Sequence, residues 1–342
     1  MNGYERIMAA FRGERPDTVP VMLHNFMMAA REAGVSMEQF RRDPTAAARS
    51  FIQAVESYGF DGLIVDVNTV TLAAAAGVPI DVPPDEPART AGSLLSDIRE
   101  VDDLGPVDIS AHEGIQSWLE TVRLLVGHFG NEILIRGNCD QCPFTLASML
   151  RGSEAWLMDL LDPDQRERVD KLLQHCTGIT KQFIRLMSTT GAHMTSNGDS
   201  FAGPELISPE LYREFALPYE RQITAVAHEV KLPYVLHICG NTAPIIKDML
   251  RSGADGLELD YKTDVQLART LMKDQTVFIG NVDPSGILAM GSLAQIEETT
   301  RRLLEVFADT SRFVLNAGCA IPPVTPSGNL RAFIRTARQF TL

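Results

Sequence analysis

The segment Tyr234-Val-Leu-His-Ile-Cys-Gly240 places an imidazole and a thiol two residues apart at the end of a β-rich run. In an extended strand such a pair points to one face. An imidazole beside a thiol is half of a soft metal site. Far downstream, Asn316-Ala-Gly-Cys-Ala-Ile-Pro-Pro323 sets Cys319 just after the last β-rich run. Gly240 and Gly318 would let backbone approach a metal or ligand closely. His-x-Cys alone is a weak spacing, and Cys239 and Cys319 could equally be buried small hydrophobes. Cys139 and Cys142 make a Cys-x-x-Cys pair, a spacing used in redox and metal sites. No second such pair completes a four-sulfur set, so packing at a helix start before Pro143 is preferred. Cys176 falls inside a helical pattern and is expected in the core. His112, His128, His175, His193 and His228 lack partners at metal-like spacing, whereas His24 ends the first β-rich run.

Those residues need elements to hold them. Eight β-rich runs occur, at Val19–Leu23, Gly62–Val67, Glu132–Arg136, Ala192–Ser196, Tyr234–Ile238, Gly256–Leu259, Val277–Gly280 and Arg312–Leu315. Between most of them apolar residues recur at three- and four-residue spacing, as in Pro44–Tyr58, Gln165–Met187, Pro209–Glu229, Ala243–Arg251, Ala294–Phe307 and Pro326–Phe340. This alternation predicts an α/β fold, a (β/α)8 TIM barrel, with residues 1–342 as one domain. An open doubly wound sheet is the rival, but the chain has neither a Gly-x-Gly-x-x-Gly turn nor a Walker-type loop. The proline-rich stretch Gly77–Asp108 reads as a surface excursion or part of a lid. In a barrel the chemistry gathers where strands end. Those positions carry His24 and Asn25, Asp66 and Asn68, Asn138 and Cys139, Asn197 and Asp199, His237 and Cys239, Asp260, Asn281 and Asp283, then Cys319. For any single Asn or Asp, turn preference is the plainer explanation.

Composition narrows the function. Acidic residues outnumber basic ones 44 to 31, giving a formal charge of -13. Such a chain lacks the electrostatic footprint for nucleic acid or an anionic membrane. Its apolar stretches are too short to span a bilayer, and Met1–Arg15 lacks the apolar core of a secretory signal. Five cysteines, an odd number, do not suggest a disulfide framework. A reduced cytoplasm is the expected home.

Over nearly its whole length the chain resembles the uroporphyrinogen decarboxylase superfamily. The matching segments are Cys142-Pro-Phe-Thr-Leu-Ala147, Asp199-Ser-Phe-Ala-Gly203 with Leu211–Tyr219, and Gly280-Asn-Val-Asp-Pro284. The resemblance implies a (β/α)8 barrel, but one barrel hosts several chemistries. The decarboxylase branch carries Arg-Gln-Ala-Gly-Arg after the first strand, where this chain reads His24-Asn-Phe-Met-Met-Ala-Ala30. Asn25 and Ala29 stand at the arginine positions, Asn68 (near Asp66) at that of an essential aspartate, and Cys319 at that of a late histidine. The zinc- and cobamide-dependent methyltransferase branch, including methylcobamide:coenzyme M methyltransferases, is matched by His237, Cys239 and Cys319 one for one.

That match implies Zn2+ on those three residues, and methylcobalamin or another corrinoid as co-substrate. It also implies a separate corrinoid protein, since no Asp-x-His-x-x-Gly segment is present. The implied reaction moves a methyl group between the corrinoid and a small substrate, foremost a thiol activated on zinc. Asp199, Asp66 and His24 are candidate catalytic residues that orient the substrate or take its proton. Asn25, Asn68, Asn138 and Phe201 are candidate substrate contacts, with Phe26, Met27, Met28 and Phe144 as an apolar lining. Three alternatives stand beside this reading. They are a donor-side enzyme demethylating a methoxy or methylamine compound, a uroporphyrinogen decarboxylase, and a non-enzymatic corrinoid-protein-binding or metal-sensing barrel. Methyl donor and acceptor, direction of transfer and oligomeric state are left open.

Overall fold

Each β-rich run forms a strand, and the strands pair in chain order. The computed structural model describes residues 1–273 and 275–341. Its barrel strands are β1 (Met22–Leu23), β2 (Gly62–Val65), β3 (Leu134–Gln141), β4 (Met194–Gly198), β5 (Tyr234–Ile238), β6 (Gly256–Leu259), β7 (Val277–Val282) and β8 (Phe313–Ala317). All neighbours pair in parallel. A parallel bridge between Val21 and Leu315 joins the first edge to the last. With helices between the strands, the fold is a (β/α)8 barrel.

The barrel floor explains where the site lies. Met22, Ile64, Leu134, Met194, Val235, Val277, Ile279 and Val314 point inward and form one apolar cluster with Ile7 and Ala10. Those last two come from the helix Gly3–Arg12, which begins with a capping box between Asn2 and Glu5 and plugs the N-terminal end. Burying each such aliphatic side chain is worth about 1.5–3 kcal/mol. Side chains of opposite parity, among them Leu63, Val65, Ile135, Leu236 and Leu257, join the larger cluster beneath the helices. Because strand side chains alternate, the next inward residues above the floor are Asp66, Arg136, His237 and Glu258. Apolar residues thus close the bottom while polar ones line the top.

Two helical segments differ from the sequence expectation, and the excursion carries local structure of its own. The helix Pro209–Glu229 contains a π turn at Tyr212–Ala216, just before Pro218. Proline lacks an N–H and its ring clashes with the carbonyl four residues back, so the helix widens there. Of Ala243–Arg251 only Ile246–Met249 is α-helical, followed by a 3-10 turn, Leu250–Ser252. The excursion Gly77–Asp108 folds into a small antiparallel hairpin, Ile80–Asp81 with Arg89–Thr90, and a 3-10 helix, Ile98–Asp103. Among the described residues, no helix is long and apolar enough to cross a membrane.

Candidate metal centre

His237, Cys239 and Cys319 converge at the C-terminal mouth of the barrel, their donor atoms all within 4.8 Å of one another. The first two share the inward face of β5 and its continuation, and Nε2 of His237 lies 3.1 Å from the Cys239 Sγ. Cys319 arrives on the loop after β8. A Cβ at Gly318 would collide with the backbone of Tyr261, so glycine lets this loop lie close against the end of β6. Gly240 turns the chain away after Cys239 with φ 84, a conformation glycine adopts without strain. Ser200 donates to the Cys239 sulfur at 3.0 Å.

The protons of this cluster are shared. A hydrogen bond from the Cys319 thiol, and then the adjacent His237, hold the Cys239 thiol down at about 3, although burial opposes this. Burial also opposes charge on His237, but the Cys239 thiolate outweighs it and raises the imidazole to about 10. Donation to Cys239, together with burial, keeps Cys319 protonated far above the usual thiol range. A divalent cation would replace the exchangeable protons around which two sulfurs and one imidazole are crowded, and the donor set suits zinc.

Above the three donors lies a cavity of about 200 Å3. Of the residues expected there, His24, Asp66, Asn68 and Asn138 line it, as do Phe26 and Met27. His24 Nε2 and Asp66 Oδ2 are 2.9 Å apart, Asn138 donates to the same oxygen at 3.3 Å, and the Asn68 N–H donates to Asp66 Oδ1. Pro87 and Ala88 of the excursion also reach the cavity wall.

Three expected site residues do not line it. Asp199 is fully buried, with Oδ1 accepting from the Thr145 N–H and hydroxyl at 2.8 and 2.7 Å. Its parity opposes that of inward-facing Met194, so it points into the helical layer, where burial pushes its carboxyl up to about 6. Asn25 is fully buried beside the cavity wall rather than on it. Phe201 packs against the outer core. Met28 and Phe144 likewise belong to that core and not to the lining. Cys139 and Cys142 are buried away from the metal cluster, their sulfurs 3.2 Å from Thr195 Oγ1 and 3.4 Å from the Tyr234 hydroxyl. Burial raises both thiols, Cys139 to about 12.

Sequence reasoning missed Arg136, Asp140 and Glu258, all on the cavity wall. Arg136 and Glu258 form an ion pair with side chains only 3% and 2% exposed. Burial disfavours the Glu258 charge, but Arg136 and then His237 more than offset this and keep the carboxylate below its ordinary value. The signal was present: a charged residue at an inward position of an apolar strand demands a partner.

Comparison with known proteins agrees with this architecture. The family model described as uroporphyrinogen decarboxylase (URO-D) matches residues 2–340. A methylcobamide:CoM methyltransferase, MtbA of Methanosarcina acetivorans, is 32% identical over 222 residues, covering 65% of this chain and 63% of the relative. The matched part is thus less than two thirds of that relative's length. MtaA of Methanosarcina barkeri, also named methylcobamide:CoM methyltransferase, is 25% identical over 341 residues, covering 98% and 97% of the two chains. The uroporphyrinogen decarboxylase of Coxiella burnetii is 26% identical over 322 residues, covering 91% and 86%. A solved methyltransferase from Methanosarcina mazei superimposes with a TM-score of 0.85 at 23% identity, covering 98% of each chain. Fold, strand-end motifs and the length of the family match lead to one conclusion: this chain belongs to the uroporphyrinogen decarboxylase family.

Proposed function

We propose that the chain is a cobamide-dependent methyltransferase that holds zinc on His237, Cys239 and Cys319 and moves a methyl group between a corrinoid and a small thiol. The observation that carries the reading is the convergence of those three donors at the base of a cavity in the barrel mouth. The relatives named methylcobamide:CoM methyltransferases support the same chemistry. Bound zinc would supply the Lewis acidity that favours the thiolate form of a substrate thiol at neutral pH.

The chain's own groups do the rest. The Glu258 carbonyl, 3.0 Å from His237 Nδ1, fixes the imidazole so that Nε2 faces the sulfurs. The His24–Asp66 pair stands on the wall to take the proton that the thiol gives up and pass it on to solvent. The cavity, about 200 Å3, is smaller than the ~300–1,000 Å3 of a drug-sized site, so it would admit a small substrate, and a corrin ring would have to meet the chain at the mouth. Phe26 and Met27 offer an apolar edge to that ring. With a methylcorrinoid as co-substrate, the sulfur–carbon bond would form as the carbon–cobalt bond breaks, the electron pair staying on cobalt. We assign residues 1–342 to one barrel domain acting in the cytoplasm, with the corrinoid delivered by a separate protein.

The decarboxylase reading lacks its cationic contacts. Among the described residues only one arginine and no lysine lines the cavity, and that arginine is already paired with Glu258. Zinc-loaded protein, incubated anaerobically with methylcobalamin and a panel of small thiols, should give the cob(I)alamin absorbance. Release of coproporphyrinogen from uroporphyrinogen, without methyl transfer in either direction, would overturn the proposal.

A further inference from the structure

Asp140 differs from every other charged group on the cavity wall. It lies in the left-handed region with φ 57, at the register shift between Asn138 and Gln141 where β3 pairs with β4. A non-glycine residue there is held by its surroundings at some cost in strain, and such positions cluster at ligand sites. The side chain is 2% exposed yet lines the cavity. Its Oδ2 accepts from the Leu72 N–H at 2.8 Å, while Oδ1 has no hydrogen-bond partner.

The other carboxyls around it are partnered. Glu258 pairs with Arg136, and Asp66 has His24 and Asn138 at Oδ2 and the Asn68 N–H at Oδ1. The wall therefore holds one carboxyl with an unpartnered oxygen, and no lysine or unpaired arginine among the described residues to receive an anion. Resting on the methyltransferase reading, we infer that the small substrate carries an ammonium group and that Asp140 is the residue that receives it.

An ammonium brings several N–H donors and, with a small shift of the buried side chain toward the cavity, can satisfy Oδ1 through a charge-assisted bond. An anionic end, such as a sulfonate, would instead enter beside Asp66 and Glu258 without a free cationic partner on the wall. Burial, reinforced by the Asp66 charge and only partly opposed by the Leu72 N–H and weaker contributions from Gln141 and Thr71, pushes the Asp140 carboxyl up to about 8. A cation placed next to it supplies the partner whose absence keeps it protonated.

An ammonium of this kind is borne by aminothiols and by methylated amines, and the test separates them. Binding of cysteamine, 2-mercaptoethanol, 2-mercaptoethanesulfonate and dimethylammonium to zinc-loaded protein would be measured by calorimetry. Asp140→Asn is the matching variant. Asparagine tolerates the left-handed backbone and still accepts from Leu72, so only the charge is lost. The wild type should bind cysteamine about tenfold or more tighter than 2-mercaptoethanol or the sulfonate, since hydrogen bonds to charged groups contribute about 1.5–3 kcal/mol. In Asp140→Asn that preference should vanish, with zinc content and 2-mercaptoethanol binding unchanged. Dimethylammonium binding as tightly as cysteamine would keep the Asp140 assignment and name an amine as the source. A sulfonate preference in the wild type, or a cysteamine preference that survives in Asp140→Asn, would overturn it. The methyltransferase reading fails separately, by cysteamine binding with this preference yet receiving no methyl from methylcobalamin.

Discussion

His237 turns Nε2 toward the Cys239 sulfur 3.1 Å away, while its Nδ1 lies 3.0 Å from the backbone carbonyl of Glu258. A carbonyl only accepts, so the Nδ1 proton is fixed there and Nε2 is aimed at the sulfurs, where a metal would replace its proton. The same two residues face each other in the β5–β6 register. Sheet pairing itself therefore orients His237, the first of the three proposed metal ligands.

The three-ligand arrangement predicts how metal is lost. Cys239→Ala and Cys319→Ala should each weaken zinc binding by more than the ~10–100-fold typical of losing an outer hydrogen-bond partner. The barrel should stay folded, because the apolar floor beneath the site is complete without the metal. Metal analysis of dialysed protein, alongside circular dichroism, checks both halves. Full zinc retention in Cys319→Ala would remove that residue from the ligand set.

Arg136 and Glu258 should behave as a buried pair. Arg136→Met leaves Glu258 charged in the barrel interior and should cost roughly 3–5 kcal/mol in denaturant unfolding of the metal-free protein. Adding Glu258→Leu should recover most of that loss, since it removes the stranded charge. If the double variant is no more stable than the single one, the pair is not the source of the cost.

The way these residues were or were not legible in the sequence follows from strand parity. Alternating runs and helical periodicity were enough to place all eight strands, because a closed parallel barrel needs apolar residues on both strand faces. His237 and Cys239 were legible because their two-residue spacing keeps them on one face of β5. Asp199 ends a strand but on its outward face, which position at a strand end alone does not reveal. Met194 faces the floor cluster, so five residues later the side chain faces outward. Asp140 could not be read at all. It reaches the wall only through the register shift in β3, and local sequence gives no sign of such a shift. Arg136 and Glu258 lie 122 residues apart, and no local pattern pairs charges across that distance.

Asp140 also carries a pH signature. Its carboxyl titrates near 8 in the folded chain, against about 3.9 when unfolded. Below about pH 4 it is protonated in both states and contributes no difference. As pH rises further the unfolded chain ionises it first, so the wild type loses stability progressively until about pH 8 and then levels off. Asp140→Asn escapes this loss. Its thermal midpoint should exceed that of the wild type by a margin that widens between about pH 5 and pH 8. A margin constant across that range would mean the residue is not held protonated by burial.

The last prediction concerns the proton of the substrate thiol. A free thiol has a pKa of about 8.5 and is mostly protonated at neutral pH, whereas a metal-coordinated thiol is deprotonated. Thiol binding to zinc-loaded protein at neutral pH should therefore release close to one proton per site, read from calorimetry in buffers of different ionisation enthalpy. Chelated protein should release none, because the sulfur then has no cation to stabilise it. In Asp66→Asn the release should persist at equilibrium, since the metal and not the wall sets the thiol's final charge. Methyl transfer in that variant should nonetheless slow by roughly 10²–10⁴-fold, the usual worth of a positioned proton acceptor. His24 would have lost the carboxylate 2.9 Å away that orients its ring. Unchanged transfer in Asp66→Asn would show that the thiol proton leaves by another route, with the metal assignment intact.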